Sequence, residues 1–220
     1  MIPPEIVAAS KRKRLDGIGI TDCNSAANVQ SVIDAARGQI AVFGGMEIMT
    51  QEEIHLLAFF GDLRQLSSYQ SFIDKYLFGR NDSARFGEQY LVDQEGYITG
   101  ASEAFLSGAV DLSIDEVVDI AHDRGGIAIA AHVDRESYSV VSQLGFIPES
   151  LSIDAVEVTA ASGAGLGEVA GKYLPMIASS DAHSPEQIGS SSSVIRCERL
   201  TFEEFKAAVA GEGGQTVRPL

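Results

Sequence analysis

"IAIAAH", residues 127–132, runs five apolar residues straight into an imidazole. A strand with one face in water alternates apolar and polar positions, whereas a strand buried on both faces, as in a parallel sheet, does not. The run follows "SIDEVVDIAHDRGG" (113–126), which opens with Ser113 and Glu116 at capping-box spacing and stops at glycines. A capped helix, a glycine stop and a short buried strand make the repeating unit of an α/β protein. The unit recurs on both sides. "PPEIVAASKRKR" (3–14) reads as a helix leading into the strand "LDGIGITDC" (15–23). A helix from about Ser25 leads to the strands "IAVFGGMEI" (40–48) and "IHLLAFF" (54–60). Downstream come "DAVEVT" (154–159), "MIASSDAH" (176–183) and a closing helix, "LTFEEFKAAVAG" (200–211), with a second box at Thr201 and Glu204. The alternation points to an α/β barrel or a doubly wound sheet, and in either the functional groups gather at the C-terminal ends of the strands.

Composition narrows the class. With 220 residues, 45% of them apolar, the chain reads as a single domain over 1–220. Residues 62–112 break the rhythm: "QYLVDQEGYITG" (89–100) alternates around a turn and reads as a hairpin, so 62–112 is expected to be an inserted loop or lid. The apolar runs are far shorter than the roughly 20 residues a membrane-spanning helix needs, and no basic segment precedes an apolar one at Met1. No membrane partner and a cytoplasmic location are therefore expected. Cys23 and Cys197 have no disulfide-framework or CxxC spacing and are expected to be free thiols. A net charge of −15 argues against a nucleic-acid partner, since phosphate backbones are met by clustered Lys and Arg. The basic run "KRKR" (11–14) reads as the solvated face of a helix.

The strand tips carry an unusual set of polar residues: Asp22 and Cys23, Glu47, His132, Glu157, then Asp181 and His183, with His55 at the start of its own strand. Residues two apart on a strand share a face, so Asp181 and His183 can point at one centre. Each has a bland reading by itself: a core histidine, a helix cap, a surface acid, a small buried thiol. Together, acids and imidazoles at one end of a sheet are costly to bury without a cation. Mixed carboxylate and imidazole donors suit Mn²⁺, Fe²⁺ or Zn²⁺ better than Ca²⁺ or Mg²⁺. His122, inside a helix, has no such company.

Four stretches in order, "GIGITDCNSAANV" (17–29), "GGMEIMTQEEIHLLAFF" (44–60), "IAIAAHVDR" (127–135) and "IASSDAHS" (177–184), resemble the PHP (polymerase and histidinol phosphatase) family across nearly the whole chain. The resemblance implies a distorted (β/α)7 TIM-like barrel and a site of two or three divalent ions that hydrolyses phosphate esters through metal-activated hydroxide. Position by position, it implies that Glu47 is a bridging carboxylate, that His55 and His132 complete the second metal's ligands, and that Asp181 belongs to the first metal and His183 to the third. Arg135 resembles the arginine that holds substrate phosphate, and its planar fork suits that task. His183 is the candidate proton donor to the leaving oxygen. The implied substrate is a small phosphorylated metabolite or nucleotide.

The chain departs from the family in two places. Cys23 stands where the family's "TDH" has a histidine, so the resemblance implies a thiol ligand in place of an imidazole at the third metal. The family's first strand ends in His-x-His, yet no histidine precedes His55 here. The reading that follows is a barrel lacking its first strand, six strands of seven, either a misassigned start or truncation, or a degenerate relative. Its first metal would keep only Glu47 and Asp181, and the strand at 18–22 would present an unpaired edge that invites homodimerisation. The competing functional reading is a PHP-like domain that binds metal or a phosphorylated ligand without turnover.

Overall fold

The computed structural model describes residues 1–159 and 174–220. In chain order the elements are α1 (Pro3–Arg12), β1 (Gly17–Ile20), α2 (Val29–Ala36), β2 (Ala41–Met49), β3 (His55–Phe60), α3 (Leu63–Ile73), α4 (Ser83–Phe86), β4 (Tyr90–Val92), β5 (Ile98–Ala101), α5 (Ile114–Asp123), β6 (Ile127–Ala130), α6 (Val140–Leu144), β7 (Ala155–Val158), β8 (Met176–Ala178), β9 (Ser193–Arg196), α7 (Phe202–Ala210) and β10 (Thr216–Pro219). Six strands form one sheet in the order β1-β2-β3-β6-β7-β8. This is an α/β fold whose described sheet is open, with β1 at one edge and β8 at the other. Among the described residues no helix is long and apolar enough to cross a membrane.

The sheet is mixed rather than parallel throughout. β1 pairs with β2, β6 with β7 and β7 with β8 in parallel, but β3 runs antiparallel to both β2 and β6. The reason lies in the connection. Only Thr50–Ile54 separates β2 from β3, and a parallel crossover takes a dozen or more residues. The reversal places the first residue of β3, His55, beside the last residue of β2, Met49, and so at the rim where the neighbouring strands end.

Strand periodicity divides the core in two. Leu56, Ala58 and Phe60 of β3, with Ala128 and Ala130 of β6, pack toward α2, α3 and α5 through Val29, Val32, Leu66, Tyr69, Val117 and Val118. The intervening residues Leu57, Phe59, Ile127, Ile129, Ala155 and Ile177 pack against Phe202, Phe205 and Val209 of α7. Each fully buried Leu, Ile, Val or Phe among them contributes about 1.5–3 kcal/mol, which is why the strands carry no polar alternation. Phe59 lies flat over β1 and β2, where a Cβ added at Gly19 or at Gly45 would come within 2.8 Å of its ring. The two glycines let that ring close the floor beneath the rim.

The stretch 62–112 contributes to the wall as well as to the periphery. Leu66, Tyr69 and Ile73 of α3 lie in the main core, while β4 and β5 form an antiparallel hairpin at 90–101. That hairpin is tied to α2 through Asn28 and Ser31, which bond the main chain of Tyr90 and Val92. The β9–β10 pair has no counterpart among the strands expected above. Its partners are joined antiparallel across the whole of α7, and short strands with alternating exposure carry little local signal. Lys11, Arg12, Lys13 and Arg14 are all exposed.

Candidate metal centre

Glu47 lies opposite Leu57 on the β2–β3 ladder, and His55 is two residues before Leu57. All three therefore share a face. That face is the one packed on α7, so the carboxylate and imidazole stand directly above its apolar floor. His132 arrives from two residues beyond the end of β6, with its main chain turned to φ 30°. The convergence is close: His55 Nδ1 is 3.1 Å from Glu47 Oε1 and 3.1 Å from His132 Nε2, and His132 Nε2 is 3.6 Å from Glu47 Oε1.

These separations match a cation's coordination shell, since donors on a tetrahedral ion with bonds of ~2.1 Å lie ~3.4 Å apart. A proton cannot satisfy them equally well. Two neutral imidazole nitrogens can share only one hydrogen, and the other ring nitrogen of His132, Nδ1, is buried without a hydrogen-bond partner. Burial raises the Glu47 carboxyl, but hydrogen bonds from His132 and His55 and the pull of both rings outweigh it and hold the group down at about 2. Glu47 is thus an anion facing two imidazoles, and the set is two nitrogens and one oxygen. Tyr138 stacks on His55 with ring centroids 4.9 Å apart and planes at 12°, and its carbonyl accepts from the His55 N–H at 2.8 Å. Nothing in the sequence around Tyr138 points to this; it depends on the path of the loop after β6.

The other sequence candidates stand apart. Among the described residues, only Glu47, His55 and His132 bring three such donor atoms within 4.8 Å of one another. Asp181 is engaged by Arg135, whose Nη1 lies 2.6 Å from Asp181 Oδ2. His183 is largely exposed, with Nδ1 at 2.9 Å from the Asp181 carbonyl oxygen and 3.9 Å from its carboxylate. Cys23 sits beside Glu47 in a parallel bridge, yet its thiol donates to the Leu106 carbonyl at 3.3 Å. Burial, then the negative charges of Glu47 and Asp22, push that thiol up to about 12, so it is protonated at neutral pH. Glu157 is buried at 3% exposure. Its carboxylate accepts from the His132 N–H at 2.9 Å and from the Ser179 hydroxyl, and burial raises its pKa.

An open mixed sheet with an imidazole–carboxylate triad at one rim defines an α/β protein with a candidate divalent-metal centre. A family model described as PHP-associated matches residues 168–210. No curated protein sequence matches the chain. Among solved structures, the lesion-specific endonuclease PfuEndoQ from Pyrococcus furiosus superposes with TM-score 0.70 at 19% identity, over 99% of this chain and 53% of that one. Endonuclease Q in complex with a 27-mer duplex substrate carrying an abasic lesion at its active site gives TM-score 0.74 at 18% identity, over 98% and 53%. A Bifidobacterium adolescentis protein described as a metal-dependent phosphoesterase gives 0.60 at 16%, over 96% and 91%. The chain thus spans about half the length of the endonuclease structures, and at these identities the likeness is one of fold. Together with the PHP-associated match it supports the PHP resemblance carried by the four sequence stretches.

One expectation is overturned. Net charge argued against a nucleic-acid partner, yet Endonuclease Q, about half of which superposes on this chain, is seen in complex with a 27-mer duplex substrate. A net charge sums the whole surface, whereas a phosphate is met by a few local groups, and a bound cation inverts the local balance.

Proposed function

We propose that the chain is a metal-dependent phosphoesterase domain whose ion is held by Glu47, His55 and His132. The observation that supports this most directly is the mutual 3.1–3.6 Å spacing of their donor atoms. Two imidazoles and one carboxylate with an open position form a donor set used by catalytic zinc, and Mn²⁺ and Fe²⁺ accept the same ligands. When bound there, the ion supplies Lewis acidity toward a phosphoryl oxygen and acidifies a nearby water. Arg135, half-exposed and three residues beyond His132, receives the phosphate in its fork. His183, outside the triad and open to solvent, is free to give a proton to the leaving oxygen. The duplex-bound relative favours a nucleic-acid phosphodiester as the substrate class. The sheet is read here as part of a distorted PHP-type barrel, with 62–112 shaping the mouth of the site.

A second reading, a domain that binds metal or phosphate without turnover, is favoured by two observations: Asp181 is paired with Arg135, and the Cys23 thiol faces the Leu106 carbonyl. One experiment separates them. Hydrolysis of an abasic-site oligonucleotide and of an aryl phosphate is measured with Mn²⁺ or Zn²⁺ in wild type and His132→Ala. Turnover lost in the variant supports the phosphoesterase. Stoichiometric ion binding with no turnover of either substrate supports the second reading.

A further inference from the structure

A histidine that binds a metal through one ring nitrogen is ordinarily oriented by a hydrogen bond at the other. His132 has no such bond: Nδ1 is buried and, among the described residues, unpartnered. Something else must hold the ring in place. The main chain of His132 sits at φ 30°, a left-handed conformation that a residue with a Cβ holds only when its surroundings impose it.

We infer that Glu157 is the positioning residue of the site, aiming His132 by clamping its main chain rather than its ring. Both polar ends of Glu157 act on the same turn. Its side-chain Oε2 accepts from the His132 N–H at 2.9 Å, and its carbonyl accepts from the Val133 N–H at 2.8 Å. The remaining carboxylate oxygen, Oε1, accepts from the Ser179 hydroxyl just past β8, which fixes the rotamer and ties the turn to the neighbouring strand. Both oxygens are engaged and the side chain is 3% exposed, and Glu157 lies outside the donor cluster of Glu47, His55 and His132. A buried carboxylate is costly, so its place between β7 and the His132 turn calls for a reason. Preserving the angle of His132 supplies one. The same bond is absent from any sequence reading, because Glu157 by itself looks like one more acid at a strand end.

This inference rests on the metal reading of the triad, and the test keeps the two apart. Co²⁺ is titrated into the full chain, with affinity from competition against a chelator and geometry from the visible d–d spectrum. Fold is checked by circular dichroism. In Glu157→Ala the affinity falls ~10- to 100-fold and the spectrum changes, the range seen when groups that orient metal ligands are lost. Glu157→Gln, whose amide oxygen still accepts from the His132 N–H, recovers most of the affinity and the wild-type spectrum. A folded Glu157→Ala that binds like wild type overturns the inference, and so does a Glu157→Gln as impaired as the alanine variant. Should Glu157→Ala not fold, Ser179→Ala carries the test: weaker Co²⁺ binding supports the clamp and unchanged binding overturns it. Wild-type protein that takes up no Co²⁺ overturns the metal reading itself and the clamp with it.

Discussion

The two halves of the rim are built differently. On one side Glu47 and His55 stand on β2 and β3, whose ladders pair Glu47 with Leu57, Met49 with His55 and Leu56 with Ala130, and His132 stands on the turn just past β6. Register leaves Glu47 and His55 little choice of position, Glu157 bonds the His132 N–H, and Phe59 and Phe205 pack edge to face on the same side of the sheet. On the other side Asp181 and His183 follow the three-residue β8, with Asp181 at φ 41° and bonded to Arg135, and His183 exposed. The contrast separates donor atoms grouped around the end of the β2–β3 ladder from an arginine–aspartate pair carried on loops; on the reading proposed above, these are the ion-binding and the phosphate-handling halves.

The sharpest way to break that division is at its border, Cys23, which touches Glu47 without joining the triad. Its thiol, moved from 9.0 to about 12, should be alkylated by iodoacetamide at pH 8 about 1000-fold more slowly than an unperturbed thiol, because only the thiolate reacts. Alkylation at an ordinary rate, followed by mass spectrometry of the modified peptide, would place a thiolate beside Glu47 and draw Cys23 into the ion site.

Next in size is the triad itself. His132→Ala should weaken Zn²⁺ or Mn²⁺ binding by more than the ~100-fold seen for orienting groups, whereas Asp181→Asn should leave it near wild type. Equal losses in the two variants, measured by competition titration, would show one continuous site and erase the contrast. Arg135→Ala sharpens the other half. Removing charge-assisted hydrogen bonds should weaken inorganic phosphate as a ligand by ~10- to 100-fold and leave ion affinity unchanged; isothermal titration of each ligand separates the two effects.

The smallest effect lies far from the rim, at the other end of α5. His122 Nε2 and Asp154 Oδ2 are 2.8 Å apart. The Asp154 hydrogen bond raises the His122 pKa above 6.5 against the opposing effect of burial. A raised folded-state value means the contribution is full below pH 6.5 and fades as pH rises through that value. His122→Gln should therefore lower the melting temperature most near pH 6 and least near pH 9. For a pair this exposed the difference is within ~1 kcal/mol, or about 2–4 °C at most. A deficit that grows with pH in thermal melts would show that the pair does not act this way.

Much of the sheet was legible before any coordinates. Short apolar strands without alternation, capped helices at Ser113 and Thr201, and acids and imidazoles at strand tips are local features, and local physics writes them into neighbouring residues. Even the reversal of β3 is implicit in the shortness of the link 50–54. The β9–β10 pair was not legible, because its pairing spans α7. Net charge misdirected the view of partners, because a sum over the surface does not set the potential at one rim.

Residue order alone places acids and imidazoles at the strand ends, since the α/β rhythm and the alternation of strand positions are local. Which of them meet follows from how the folded chain brings distant segments together. Glu47, His55 and His132 converge through sheet register, Asp181 is held by Arg135, the Cys23 thiol turns to the Leu106 carbonyl, and Glu157 grips the His132 turn. Those partnerships depend on the paths of loops and on pairings between distant segments, and a one-dimensional spacing carries no information about either.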